Sequence, residues 1–190
     1  GWRQRGTTGS HTPVARHSTE LTAVALATAL PALVFAQILV GATMRHTGAG
    51  LAIPDFPLVF GGVVPNEWTF PIALHYAHRL GAGVTALVIF ASMRQIAMHH
   101  RGRLDLLRPA GLLTVLVLVQ IGLGGWTVLS GRAPVINTAH VATGALVLGT
   151  SLLLALRVNR HRFPDARPAV AYPPPPVAVP AKRAARGAAV

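Results

Sequence analysis

Cysteine is absent from the 190 residues, which excludes disulfides, thiolate metal sites, iron–sulfur clusters and cysteine nucleophiles. Acidic side chains are scarce: five Asp and Glu stand against 17 Lys and Arg, for a formal net charge of +12. Charged residues of both signs make up 12% of the chain, about half the share of a soluble domain. Beside 52% hydrophobic residues and a mean hydropathy of +0.50, that scarcity excludes a disordered chain, a coiled coil and an ordinary soluble enzyme. The apolar runs lack a two-residue alternation, which excludes membrane-spanning strands.

Long apolar runs are what the chain does have. Leu21–Met44 and Pro109–Leu129 carry no charge, and Pro134–Leu156 carries only a histidine. Phe70–Met98 is apolar apart from His75, His78, Arg79 and Arg94. About 20 apolar residues cross a bilayer as a helix. The expected fold class is therefore an all-α membrane protein, a four-transmembrane-helix bundle with a structured outer loop between helices 1 and 2. Fourteen of the 17 basic residues fall before the first run, from Arg94 at the inner end of the second run up to the third, or after the fourth. Positive flanks stay inside, so a plasma-membrane protein with both termini cytoplasmic is expected. The positive charge then reads as an orientation signal, and no nucleic-acid partner is needed to explain it.

Three segments are expected: a cytoplasmic N-terminal linker at 1–20, a four-helix transmembrane domain at 21–158, and a disordered cytoplasmic tail rich in Pro and Arg at 159–190. A transit peptide would give the first segment a similar composition. A weak internal echo is present. Gln37-Ile38 is followed by Gly41, and Gln120-Ile121 by Gly124. Common ancestry of two helix hairpins explains it, and so does chance in a glycine-rich apolar chain.

Three of nine histidines fall inside spans: His75, His78 and His140. A polar residue inside the bilayer is costly and points to function. His78 and His140 lie roughly 12 Å and 9 Å in from the outer ends of two co-directional helices, at 1.5 Å per residue. Two imidazoles at one depth on separate helices are what a bis-histidine iron porphyrin needs. Gly81, Ala82 and Gly144, three or four residues after the histidines, would let a flat ring approach. Two imidazoles hydrogen-bonded to carbonyls or water would leave the same trace in the sequence. Zinc would need third and fourth ligands. His75, one turn nearer the outer side, suits a proton relay, a propionate partner or a polar interface residue. Arg79 is deep for a cation and needs a counter-charge, which haem propionates would supply. Arg45 and Arg132 could do the same at the outer rim, or anchor at headgroups. The outer loop, Arg45–Trp68, is long for a bundle connection. With its apolar run Leu51–Phe60 and three prolines it reads as a lid packed over the bundle.

The segments QILVGATMRHTGAGLAIPDFPLVFGG (37–62), HYAHRLGAG (75–83), QIGLGGWTVLSG (120–131) and NTAHVATGA (137–145) resemble the haem A synthase family, the cytochrome oxidase assembly proteins of the CtaA/Cox15 type. The resemblance covers residues 21–158. It implies one half, the C-terminal one, of an eight-helix protein built from two similar four-helix halves. The implied activity is oxidation of the haem O methyl group to the formyl group of haem A. It further implies that His78 and His140 hold a haem b that passes electrons. The implied partners are the membrane, the N-terminal half of the same protein or a homo-oligomer, a haem O supplier and an electron donor. Two departures stand out. His75 occupies the position of the family's glutamate, so this segment alone is not expected to be catalytic. Ile53 and Val59 stand where many members carry a loop cysteine pair, so no thiol–disulfide step is available here. A stand-alone membrane b-type cytochrome and a haem-free transporter or assembly scaffold stay open as alternatives.

Overall fold

The computed structural model describes residues 13–160. Four helices account for most of them: α1 (Pro13–His46), α2 (Phe70–His99), α3 (Leu104–Leu129) and α4 (Pro134–Val158). Each is long and apolar enough to cross a membrane, and no strand is present among the described residues. The four expected spans are thus present as an all-α membrane bundle. α1 begins at Pro13, so residues 13–20 of the expected linker are helical. The proposed tail lies almost wholly outside the described residues.

α3 also starts earlier than the apolar run that announces it, at Leu104 and not at Pro109. A proline inside a helix removes the hydrogen bond to the carbonyl four residues back. The carbonyl so released is that of Asp105, and the Arg157 guanidinium on α4 donates to it at 2.8 Å. The helix tolerates Pro109 because its neighbour supplies the missing donor.

Each helix packs beside two others: α1 against α2 and α4, and α3 against α2 and α4. Connections of four residues, 100–103 and 130–133, force antiparallel neighbours. α2 and α4 therefore run in the same direction across a diagonal. The buried apolar cluster comprises Ala27, Leu30 and Val34 of α1 and Ala86, Ile89 and Ile96 of α2. It is completed by Leu106, Ala110, Leu113 and Val117 of α3 and Val147 and Leu154 of α4. Polar groups within it turn back on their own helices: Ser92 donates to Val88 O and Ser151 to Leu148 O, which satisfies them without a partner helix. Asn159, at the end of α4, instead ties α4 to α1 by donating to Thr28 Oγ1 at 2.7 Å. Large apolar side chains such as Phe35, Leu87 and Leu146 face outward, as lipid contact requires.

Leu154 is fully buried and Leu87 is 68% exposed. Lipid tails are as apolar as leucine, so a core truncation loses packing and little else. Leu154→Ala is expected to lower bundle stability by about 2 kcal/mol. Leu87→Ala should stay within about 0.5 kcal/mol. Reversible unfolding in mixed detergent micelles measures both, and equal effects would contradict the packing described.

Candidate functional site

The apolar cluster stops short of the end of the bundle that carries the long loop. Its last members there are Val34, Ala86, Val117 and Val147. One to two turns further on, α2 presents His78 and α4 presents His140, both partly buried. A side chain of this size fits beside a neighbouring helix only where that helix lacks a Cβ. Gly41 of α1 is that place for His78: a Cβ there would lie 2.9 Å from the ring Cε1 and 3.4 Å from Nδ1. Gly124 of α3 does the same for His140, at 3.2 Å and 3.7 Å. The two seats match to a few tenths of an ångström.

Each seat lies one turn beyond a glutamine. Gln37 Nε2 donates to His78 O at 2.7 Å and lies 3.0 Å from His78 Nδ1. Its amide oxygen occupies the space that a Cβ on Gly81 would take. In the second hairpin Gln120 Nε2 lies 3.1 Å from where a Cβ on Gly144 would stand. There the hydrogen bonding is incomplete: His140 Nδ1 and Gln120 Oε1 are both buried without a partner. The main-chain carbonyl of Gln120, and not its amide oxygen, lies toward the His140 ring without reaching hydrogen-bond geometry. Gly81 and Gly144, expected to admit a flat ring, here face these two glutamines, and Ala82 is partly buried beside them. The sequence carried the signal for Gln37, Gly41, Gln120 and Gly124 as a five-residue echo, but not the contact that gives it meaning.

His75 and Arg79 belong to a different structure, the attachment of the long loop. His75 is 2% exposed. The Ile53 amide faces its Nδ1 at 3.2 Å, and Arg79 Nε faces its Nε2 at 3.3 Å. A neutral imidazole accepts at one nitrogen only, so the two donors share one acceptor. Arg79 then donates to Leu58 O at 2.7 Å, Ile53 O at 3.1 Å and Asp55 O at 2.6 Å. Its guanidinium also lies 5.8 Å from the Phe56 ring centroid, within cation–π reach. The counter-charge expected for Arg79 is thus supplied in part by three carbonyl dipoles. One Nη1 hydrogen remains for another acceptor. Arg45 is exposed at the end of α1, and Arg132 lies against Gly50 with its Cδ 3.5 Å from where a Cβ would stand.

The loop folds back on the bundle. Ile53 and Val59 are buried, and Phe56 packs on Gly125 of α3, where a Cβ would lie 2.6 Å from the ring. Its other face, with Leu51, Leu58 and Phe60, is exposed. Asp55 closes the turn by accepting from the amides of Phe60 and Gly61, both at 2.9 Å. Among the described residues no three His, Asp or Glu side chains converge as metal ligands. A group bringing its own equatorial ligands fits the donor set better: two imidazoles across a diagonal, each with no hydrogen bond at Nε2 and one with an orphaned Nδ1.

These features define a class, the four-helix membrane bundles with a histidine on each of two diagonal helices. The sequence profile of the COX15-CtaA family, described as cytochrome oxidase assembly protein, matches residues 66–188, and the chain belongs to that family. It is 33% identical over 141 residues to a heme A synthase of Caulobacter sp. strain K31, covering 67% of this chain and 40% of that protein. A heme A synthase of Rickettsia bellii strain OSU 85-389 is 28% identical, with 62% of this chain and 37% of that protein covered. One from Exiguobacterium sibiricum is 24% identical, with 70% and 45% covered. The chain thus spans less than half the length of these relatives. No solved structure matches it.

Asp55 titrates below its ordinary 3.8, chiefly because the Gly61 amide donates to the ionised form, with the Phe60 amide adding to it and partial desolvation opposing. A depressed folded-state value means that the loop gains stability above the unfolded pKa and loses it as pH falls through the folded one. Protection of the Phe60 and Gly61 amides, corrected for intrinsic exchange, is therefore expected to hold at neutral pH and fall below about 3.8. Asp55→Asn should remove that step. Arg79→Ala should expose the whole 53–60 segment to exchange at every pH. Unchanged protection in Arg79→Ala would remove the latch assigned to it.

Proposed function

We propose that this chain is the haem b-binding half of a haem A synthase-like oxidoreductase, with an electron-transfer role in making haem A from haem O. His78 and His140 would hold the haem iron, each through Nε2, and the haem would supply one-electron redox chemistry. The observation that carries the reading is the matched pair of seats, with an imidazole over Gly41 and another over Gly124 on co-directional helices, neither ring using Nε2. The family membership and the heme A synthase names of the relatives support the pathway.

The rest of the chain serves that site. The loop, fixed by His75, Arg79 and Asp55, excludes water from the histidine end of the bundle. The free Nη1 hydrogen of Arg79, with Arg45 and Arg132, meets the haem propionates. With His75 at the family's glutamate position, substrate oxidation falls to a partner, either the N-terminal half of the same protein or another copy. A haem O supplier and an electron donor complete the set. The protein sits in the plasma membrane with both termini cytoplasmic.

His78→Ala and His140→Ala are each expected to open a coordination site, shift the Soret band and weaken haem retention in the purified protein. His75→Ala should keep the low-spin spectrum. Loss of the low-spin signal in His75→Ala but not in His78→Ala would move the ligand by one turn, and no effect from either would end the haem reading. For orientation, a reporter active only outside the cytoplasm, fused after the tail, should be silent. Strong activity would invert the topology.

A further inference from the structure

Each proposed ligand shares its buried setting with one glutamine, and the two glutamines are in different hydrogen-bonding states. The His78 carbonyl can only accept, so the Gln37 end 2.7 Å from it must be the nitrogen. The second amide hydrogen then points at His78 Nδ1, 3.0 Å away. Nδ1 is the acceptor, and the ring proton sits on Nε2. An imidazole that binds a metal through Nε2 has the opposite tautomer, with its proton on Nδ1 seeking an acceptor. The present Gln37 contact therefore belongs to the unligated ring.

Gln37 can serve the ligated ring as well. Its Oε1 lies in the space left by the missing Cβ of Gly81, and an amide nitrogen is close enough in size to take that place when the carboxamide turns over. Two carbonyl oxygens repel, so the reversed amide also moves off His78 O, which keeps its place in the α2 hydrogen-bond ladder. The second hairpin repeats the parts, with Gln120 against Gly144 and the His140 ring over Gly124, but not the contact: the amide oxygen and the ring Nδ1 are both buried and unpartnered.

We propose that Gln37 is a positioning residue that sets the tautomer and plane of His78 and reverses its carboxamide when His78 takes up a metal centre. The resting half of this proposal stands on hydrogen bonds alone. The ligated half rests on the haem reading above.

The test uses the full chain in nanodiscs with isotope-labelled histidine, first without haem and then with iron protoporphyrin IX. Without haem, the His78 nitrogen resonances should report the Nε2–H tautomer, and Gln37→Leu should release them to a mixture. An Nδ1–H ring in the haem-free wild type would overturn the Gln37 assignment. With haem, Gln37→Leu should keep the low-spin band, raise the midpoint potential and lose haem about tenfold faster. Gln37→Glu keeps an acceptor and should hold the potential at or below that of the wild type. If the leucine variant does not fold, the glutamate variant and the wild-type tautomer decide. A low-spin band with unchanged potential in Gln37→Leu would overturn the positioning role and leave the ligands standing. No low-spin band in the wild type would overturn the haem reading, with the tautomer result still deciding Gln37.

Discussion

An imidazole in an apolar interior must have a polar neighbour, because an unmet hydrogen-bonding group there is costly. The rest of this bundle is arranged around placing a glutamine near each of two imidazoles, which meets the need at His78 and leaves it open at His140. A helix offers its side chains to a neighbour only at close range, and close range requires that one partner lack a Cβ. Gly41 and Gly81 allow it for Gln37 and His78, and Gly124 and Gly144 for Gln120 and His140. These four glycines are where polar side chains cross from one helix to the next. The apolar cluster, by contrast, is made of leucine, isoleucine, valine and alanine and lies away from the histidines. Packing holds the helices together in one half, and paired glutamine and histidine set their spacing in the other.

The long loop follows from the same constraint. Arg79 is a partly buried cation one residue beyond His78, and its donors need acceptors. Backbone carbonyls of Ile53, Asp55 and Leu58 supply them, and an irregular segment can turn three such carbonyls toward one guanidinium. In return the arginine fixes that segment over the bundle, and Phe56 seats it against Gly125 of α3. Asp55 shapes the turn from within by taking two amides of its own loop. Lid and site are one hydrogen-bonded unit joined through α2.

Composition and run length were enough to determine four membrane-long helices, because the bilayer admits few alternatives for 20-residue apolar runs. The same reading set apart His75, His78, His140 and Arg79, since polar groups in such runs stand out against their surroundings. It gave His78 and His75 different roles by depth alone, without their partners. Both lie on α2 one turn apart, and only the fold shows that His75 faces a loop amide and an arginine while His78 faces a glutamine and a glycine. Nor could it tell that Gly81 and Gly144 make room for glutamines, because the partner of a glycine is defined by what the neighbouring helix places opposite it. The echo of Gln37 and Gly41 in Gln120 and Gly124 was visible in the chain as spacing. Its meaning depended on contacts 41 residues apart in one hairpin, and long-range contacts of that kind are set by how helices pack and not by local sequence.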